Sequence, residues 1–208
     1  MTFPIDHIVY AAPNLETGMD TIEALLGVRP VKGGRHPLYG THNALLSLGD
    51  SIYLEIIAPD PGLEAPANGR LLQEHFGENP HIATWVLRSA QIEKDAAFAR
   101  KNGVMVGRVS SGQREKPDGT ILSWQLTDPY ALPFDGAIPF LISWGKTPHP
   151  AGSVPKAGQL IGLAISHPDA PKLIQQLDIL GIHTTVTSSR EVKIKARIQI
   201  DERIVMIE

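Results

Sequence analysis

The sequence predicts an α+β protein built from three repeated βαβββ modules, the third of which lies at the C-terminal end. The main observation is a repeat. Three segments each contain an apolar strand, then an amphipathic helix that ends near a glycine, then further strands. The composition agrees with a packed core, because 42% of the 208 residues are hydrophobic and the formal net charge is only −3.

The first module, residues 1–60, begins with an apolar, β-branched strand from Ile5 to Ala11. We expect Asn14 to cap the helix that follows and Gly27 to end it. A short polar side chain suits the first position, and glycine readily adopts the left-handed conformation after the last. The apolar residues of this helix stand at helical spacing: Leu15, Met19, Ile22 and Leu26.

The rest of the first module is predicted as a short strand from Val28 to Lys32, a glycine-rich loop from Gly33 to Gly40, and a hairpin. The strands of the hairpin are His42 to Leu48 and Ser51 to Ile57, joined by a two-residue turn at Gly49-Asp50. Together these elements complete one β-α-β-β-β unit.

The register of the hairpin decides which polar side chains share a face. A two-residue turn places Ala44 opposite Glu55, so that His42 lies diagonally on the face of Glu55. A shift of one residue would move His42 to the other face. Strand alternation separates Asp6 from His7 on the first strand. We therefore expect His7, Glu55 and, in this register, His42 to converge.

Residues 61–80 form a connection with a short helical pattern from Gly69 to Phe76. The second module covers residues 81–146, a linker rich in proline and glycine covers 147–158, and the third module covers 159–208. The elements predicted in the second module are a strand His81 to Leu87, a helix Ala90 to Asn102, strands Met105 to Val109, Thr120 to Leu126 and Phe140 to Trp144, and a turn Lys116 to Gly119. Those predicted in the third are a strand Gln159 to Ile165, a helix Ala170 to Leu180, and strands His183 to Thr187, Val192 to Gln199 and Ile204 to Ile207.

Composition and motifs exclude several classes of function. No basic run indicates nucleic-acid binding and no acidic run indicates an acidic tail. No apolar stretch approaches the roughly 20 residues that cross a bilayer. The N-terminal residues show no signal peptide, and the absence of cysteine excludes disulfides and thiolate chemistry, so we expect a cytoplasmic location. Nucleotide-binding and common hydrolase motifs are also absent.

Several motifs carry a family resemblance over most of the chain. They are Asp6-His7-Ile8-Val9-Tyr10-Ala11, Gly33-Gly34-Arg35-His36-Pro37, Gly40-Thr41-His42-Asn43-Ala44-Leu45-Leu46, Tyr53-Leu54-Glu55-Ile56-Ile57-Ala58-Pro59, Pro139-Phe140-Leu141-Ile142 with Trp144-Gly145, and His149-Pro150. With the repeated βαβββ order, they resemble the vicinal oxygen chelate superfamily, the glyoxalase, bleomycin resistance and extradiol dioxygenase group. The resemblance is to its glyoxalase-like domain branch.

The resemblance implies that two of the modules pair to form a cup-shaped cleft, with the third module beyond them. In such a cup a divalent metal, held by His and Glu side chains, binds vicinal oxygens of a substrate and stabilises an oxyanion. Here it assigns His7 and Glu55 as metal ligands or as catalytic acid and base. Imidazole and carboxylate ligands suit Zn, Ni, Mn, Fe or Co. The implied function is that of a lyase or oxidoreductase acting on a small oxygen-rich organic molecule. The alternative is a metal-free protein of the same fold that binds or sequesters such a molecule.

The second module departs from the family's ligand pattern. Alignment of the two helices places Ala83 or Thr84 where His7 stands, and the last strand offers Ile142 or Ser143 where Glu55 stands. His81 shares a face with Ala83 and could reach the mouth of the cleft. A metal would therefore depend on one His–Glu pair, helped by His42 or His81 and by water.

Other residues are candidates for binding a ligand, each with a plainer alternative. They are His42, Arg35, Tyr53, Trp85, Trp124, Trp144 and His149. The tryptophans would form an aromatic wall or ordinary core. Arg35 and His36 would clamp a carboxylate or phosphate or lie in a solvated loop. His149 would transfer a proton or be a linker residue without a catalytic role. Arg114 is expected at a hairpin tip, from where it could also point into the cleft.

The partner expected from this reasoning is a small-molecule ligand, with neither nucleic acid nor membrane involved. The third module has no partner module in the same chain. It would complete a cup in a homodimer or cover an exposed sheet.

Overall fold

The computed structural model describes residues 3–115 and 118–208. Across these residues the chain forms twelve strands and three α-helices. They are β1 (Ile5–Ala11), α1 (Leu15–Leu26), β2 (Val31–His36), β3 (Thr41–Ser47), β4 (Tyr53–Pro59), β5 (His81–Arg88), α2 (Ile92–Lys101), β6 (Val109–Glu115), β7 (Ile121–Thr127), β8 (Phe140–Ser143), β9 (Gln159–His167), α3 (Ala170–Ile179), β10 (Thr185–Ser188), β11 (Lys193–Ile200) and β12 (Arg203–Ile207). Single 3₁₀ turns lie at Gln73–His75 and Pro150–Ser153, the first of them within the helical pattern predicted for the connection.

Strands β1 to β8 close into a barrel in the order β1-β4-β3-β2-β6-β7-β8-β5. Each half has the same arrangement, in which the strand before the helix pairs in parallel with the last strand of the module. The halves meet where β1 runs antiparallel to β5 and where β2 runs antiparallel to β6. Closure removes the open edges that two separate curled sheets would expose. The α+β class and the cup formed by two paired modules are confirmed.

Helix α1 forms where its local signals predict it. The side chain of Asn14 accepts a hydrogen bond from the backbone N–H of Thr17, and Gly27 ends the helix at a φ of 78° with its N–H donating to the carbonyl of Glu23. The buried face packs on the outside of the barrel against β3 and β4, and it contains Leu15, Gly18, Met19, Ile22 and Leu26. This face belongs to the outer core, which is separate from the cluster inside the barrel.

The structure corrects the predicted glycine-rich loop. Strand β2 begins at Val31 and runs through Gly33 and Gly34 to His36, so the loop is confined to residues 37–40. The glycines are needed there because β6 approaches closely at the seam of the barrel. A Cβ on Gly34 would collide with the backbone carbonyl of Glu115.

The hairpin between β3 and β4 is one residue out of the predicted register. The backbone N–H of Leu48 donates to the carbonyl of Ile52 at 2.9 Å, which leaves a three-residue loop in place of a two-residue turn. Leu45 therefore pairs with Glu55, and Asn43 replaces His42 on the face that Glu55 occupies.

Strand β6 lies further along the chain than predicted. Residues 104–108 follow α2 without forming a strand, because Val104 and Val106 are buried in the outer core while Met105 is 68% exposed. Strand β6 then starts at Val109 and carries Arg114 into the barrel. Of the turn predicted from Lys116 to Gly119, Lys116 and Pro117 lie outside the described residues.

The third unit has the predicted order of elements but a different pairing. Its sheet runs β10-β9-β11-β12, so the strand after the helix lies directly beside the first strand rather than at the far edge. One face of this sheet packs against the barrel near β5. The predicted linker is an ordered segment, since Ser47 at the end of β3 forms a bridge with Lys156. No described helix is long and apolar enough to span a membrane.

The seam of the barrel gives a test of the fold. Replacing Gly34 with Ala would force β2 away from the carbonyl of Glu115, so we expect the free energy of unfolding to fall by about 1–3 kcal/mol. Denaturant titration would measure this loss. Gly162→Ala is the matched control, because Gly162 also lies in a strand and an added Cβ would meet no atom within 4 Å. Equal stability of the two variants would contradict this account of the seam.

Candidate functional site

The interior of the barrel contains a narrow cavity. About 50 Å³ of it can hold the centre of a water molecule, which is enough for several waters or part of a small organic molecule. The polar side chains that line it are His7, His36, Tyr39, Asn43, Tyr53, Glu55 and Arg114. The apolar wall includes Leu71, Leu72, Trp124, Leu126, Phe140, Ile142 and Trp144. Such a mixture of an apolar wall and a few convergent polar groups is typical of ligand-binding sites.

A bulge in β1 brings Asp6 and His7 into contact. The register between β1 and β5 shifts between Ile5 and His7, so neighbouring side chains do not simply alternate there. Nδ1 of His7 lies 2.8 Å from Oδ1 of Asp6, and the Asp6 residue is fully buried. Strand alternation alone had placed these two residues on opposite faces.

The buried carboxylate of Asp6 has two further partners. Nε1 of Trp144 donates to both of its oxygens, at 3.3 and 3.2 Å. Nε2 of His149 lies 3.1 Å from Oδ2, while Nδ1 of the same ring accepts the backbone N–H of Ala151. This pattern requires that the Nε2–H of His149 donates to Asp6. Asp6 is therefore a fixed anion behind the cavity wall.

His7 and Glu55 form a buried ion pair at the cavity. Nε2 of His7 lies 3.4 Å from Oε2 of Glu55, and the imidazole stacks on the ring of Tyr53 with centroids 4.4 Å apart. The parallel pairing of β1 with β4 places His7 beside Tyr53, two residues before Glu55. The two residues that the sequence singles out are thus in contact.

The charges around His7 determine its protonation. Burial lowers its pKa, but the hydrogen bonds and negative charges of Asp6 and Glu55 outweigh this effect and raise the pKa to about 9. Burial raises the pKa of Glu55, whereas the contact with His7 and the hydrogen bond from Asn43 hold that pKa low, at about 2. At neutral pH His7 is therefore a cation between two carboxylates.

Asn43 connects Glu55 to the rest of the polar wall. Its Nδ2 donates to Oε1 of Glu55 at 2.6 Å and lies 3.4 Å from Nε2 of His36, while its Oδ1 faces Nη1 of Arg114 at 3.4 Å. Nδ1 of His36 lies 3.1 Å from the hydroxyl of Thr41, which fits a neutral ring whose Nδ1–H donates. Burial lowers the pKa of His36 to about 4, in agreement with a neutral ring.

A sequence profile establishes the family. The profile described as a glyoxalase-like domain matches residues 5–185, which include both halves of the barrel and the first half of the third unit. The chain belongs to this glyoxalase-like family, within the vicinal oxygen chelate superfamily. No curated protein matches the chain in sequence.

One solved structure has the same fold as this glyoxalase-like protein over almost its whole length, and others are similar over about two thirds of the chain at lower TM-scores. A hypothetical protein from Staphylococcus aureus is 15% identical, with a TM-score of 0.68, and the match covers 98% of each chain. A methylmalonyl-CoA epimerase from Streptomyces coelicolor is 21% identical with a TM-score of 0.45, covering 69% of this chain and 98% of that one. The Mycobacterium tuberculosis epimerase is 17% identical with a TM-score of 0.43, covering 69% of this chain and 88% of that one. The match to the Staphylococcus aureus protein includes the third sheet, because it covers 98% of this chain.

Several candidate residues of the glyoxalase-like chain take part in the cavity. Tyr53, Trp124 and Trp144 line it, and the rings of the two tryptophans lie 5.5 Å apart. His149 does not line the cavity but lies behind its wall, where its Nε2–H donates to Asp6. Arg114, expected at a hairpin tip or pointing into the cleft, is buried in the cavity wall.

Other candidates lie away from the cavity, which corrects their expected role. His42 faces outward because of the hairpin register, and Arg35 pairs on the outside with Asp60 at 2.6 Å. Trp85 is buried between the barrel and the third sheet, where its Nε1 donates to the carbonyl of Ala137 at 3.0 Å. His81 contacts His75 and does not reach the cavity wall.

Sequence reasoning missed two residues of this network, Asp6 and Asn43, and it considered His36 only as an anion clamp in a loop. The bulge that exposes Asp6 to its partners depends on the pairing with β5, which local alternation does not reveal. Asn43 was missed because the predicted two-residue turn placed His42, and not Asn43, on the face of Glu55. The Gly33-Gly34 pair is the signal that could have placed His36 in a strand, since glycines within a strand indicate a close approach.

The residues present do not provide a complete metal site of the superfamily type. His7 Nε2 and Glu55 Oε2 are close enough to share one ion, but His7 would first have to lose its proton. In the second half, the residue paired with His7 is Val86, and Ile142 lines the cavity without a donor atom. Within the described part of the chain there is no group of three or more His, Asp or Glu residues placed to hold a metal.

We expect the pKa of His7 to depend on Asp6. Asp6→Asn removes one of the two negative charges beside the ring, so the pKa should fall from about 9 toward its ordinary value of 6.5. Titration of the ring protons by NMR would measure it. Asp60→Asn is the control, because Asp60 is an equally buried aspartate that pairs with Arg35 outside the barrel. An unchanged pKa in Asp6→Asn would exclude the assigned contact.

The same contact predicts how stability depends on pH. The pKa of His7 is higher in the folded chain than its ordinary value of 6.5, so its protonation stabilises the fold. This stabilisation is fully present below pH 6.5 and is lost as the pH rises to about 9. His7→Gln should therefore reduce the difference in unfolding free energy between neutral and alkaline pH. A wild-type-like alkaline profile in this variant would contradict the prediction.

Proposed function

We propose that this protein is an enzyme that acts on a small oxygen-rich organic molecule in the barrel cavity by transferring a proton, with Glu55 as the base and the His7 cation as the group that stabilises the resulting oxyanion. The observation that supports this most directly is the ion pair of 3.4 Å between His7 and Glu55 at the cavity wall. Asp6 holds the imidazole from behind, as a carboxylate does in many catalytic histidine sites. The arrangement fits removal of a proton from the carbon next to a carbonyl group.

The charges of the site remain balanced in such a step. Glu55 takes the proton from the carbon, and the electron pair of the broken C–H bond moves onto the carbonyl oxygen of the substrate. The negative charge thus passes from Glu55 to the substrate oxygen while the His7 cation stays in place. A preorganised cation in a water-poor cavity stabilises the new oxyanion without reorganisation of solvent. Return of the proton to another atom, or loss of a leaving group, completes an isomerase or lyase reaction.

The low pKa of Glu55 favours a second candidate function. With a pKa held to about 2, Glu55 is a weak base until a ligand changes its surroundings. A protein that binds the molecule without converting it needs only the hydrogen-bonding groups and the apolar wall. This candidate corresponds to a metal-free binding or sequestration protein of the same fold.

The test follows proton exchange on small carbonyl compounds, including pyruvate and other 2-oxo acids, in heavy water by NMR. We expect the wild type to exchange the protons next to the carbonyl, and Glu55→Gln to slow this by roughly 100-fold or more. Glu115→Gln is the matched control, since Glu115 is a strand glutamate on the outside of the barrel. Binding without exchange in the wild type would favour the second candidate, and equal rates in both variants would exclude Glu55 as the base.

Metal dependence is measured in the same experiment. With two donors in place, we expect exchange to persist after treatment with a chelator. We also expect elemental analysis after loading with Zn²⁺ to find less than one ion per chain. A full equivalent of metal that is lost in both His7→Ala and Glu55→Gln would instead assign the pair as metal ligands.

A further inference from the structure

Arg114 is a buried cation whose hydrogen-bonding capacity is almost unused. The residue is 5% exposed and its guanidinium faces the cavity. Among the described residues its single hydrogen bond is the one from Nη1 to Asn43, at 3.4 Å, longer than the usual N–H···O distance. A guanidinium has five N–H donors, and a buried charge without a partner costs several kcal/mol. Among the described residues no side-chain nitrogen or oxygen is both shielded from solvent and without a hydrogen-bond partner, so the unused donors of Arg114 open into the cavity. Their acceptor is left to water or to a ligand.

The protein's own carboxylates do not supply that acceptor. Glu55 lies near enough to act on Arg114 through space, but its two oxygens are bound by Asn43 and His7. Asp6 is bound by His7, Trp144 and His149. Neither carboxylate comes within the 4.0 Å of an ion pair with Arg114 in the part of the chain that the structure describes.

The barrel has a space that fits this guanidinium. A Cβ on Gly33 would collide with Nη1 of Arg114, so the glycine leaves the room in which the group lies. Tyr53 lines the same cavity and lies close enough to Arg114 to affect its pKa. The hydroxyl of Tyr53 has no hydrogen-bond partner in residues 3–115 and 118–208. Two sets of free donors thus face one region of the cavity.

We propose that Arg114 is the binding site for a carboxylate group, and that the ligand of the cavity is a small organic carboxylate with an apolar body. The planar fork of the guanidinium matches the two oxygens of a carboxylate. The rings of Trp124 and Trp144, with Leu126 and Ile142, offer an apolar wall for the remainder of the ligand. This inference rests on the cavity being the ligand site of the proposed function, and it names the class of molecule bound there.

The position of Arg114 also orients the carboxylate. Asn43 bridges the guanidinium and Glu55, with hydrogen bonds of 3.4 Å and 2.6 Å on its two sides. A carboxylate bound to Arg114 would therefore be separated from Glu55 by the side chain of Asn43. The carbon next to the carboxylate would face the His7–Glu55 pair, where proton transfer is proposed.

The test compares two probes of the same shape, para-fluorobenzoate and para-fluorobenzamide, by fluorine NMR with the full chain. We expect the wild type to bind the carboxylate about tenfold or more tightly than the amide, and Arg114→Met to remove this preference. Arg114→Lys, which keeps the charge but not the fork, should retain part of it. Arg108→Met is the matched control, because Arg108 is an exposed arginine just before the same strand.

Each outcome decides the proposal separately from the acid–base function. Glu55→Gln should keep the preference for the carboxylate even where it abolishes proton exchange. If none of the 2-oxo acids and other carbonyl compounds exchanges protons, but the preference for para-fluorobenzoate depends on Arg114, the carboxylate site stands and the proposed reaction fails. Equal binding of both probes by the wild type, no binding of either, or an unchanged preference in a folded Arg114→Met would overturn the carboxylate site.

Discussion

Closure of the barrel at the β2–β6 seam is the constraint on which the site depends. The seam has one paired position, Arg35 with Glu115, and β2 crosses it with two consecutive glycines. A side chain at Gly34 would collide with the backbone of β6, and one at Gly33 would collide with the side chains of Asn43 and Arg114. Without the seam the two halves would form an open sheet, and the inner face would be exposed to water. Closing it excludes most of that water and carries Arg114 into the interior.

The exclusion of water explains the hydrogen-bond network. A charge without a partner is costly in such an interior, so nearly every charged atom at the cavity is bound to another group. Asp6 has three partners, and Glu55 has Asn43 on one oxygen and His7 on the other. Against this background an almost unpartnered guanidinium is unusual. The donors that Arg114 leaves open to the cavity are the observation on which the proposed carboxylate site rests.

The sequence predicts what is local in this structure and misses what depends on distant pairing. Helix α1 and its caps at Asn14 and Gly27 follow from residues within one turn of each other, and the structure has them as predicted. The glycines of β2 were placed in a loop, because the strand that approaches them lies far along the chain. The loop before β4 has one residue more than predicted, so Asn43 and not His42 lies on the face of Glu55. His7 and Glu55 could be identified since their motifs stand in strands whose parallel pairing the fold dictates, while Asp6 needed the bulge.

The two halves of the barrel have the same strand order but different chemistry, and this difference orients a ligand. The first half contributes His7, His36, Asn43 and Glu55, whereas the strands of the second half contribute Trp124, Leu126, Phe140 and Ile142 to the same cavity. In a symmetric site a small molecule could bind in two equivalent directions. Here an apolar body lies against the second half and a polar group against the first. Arg114 is the exception in the second half, and it stands at the seam, where its charge reaches the polar side through Asn43. The duplicated fold thus supplies the enclosure, and the divergence between its halves supplies the direction.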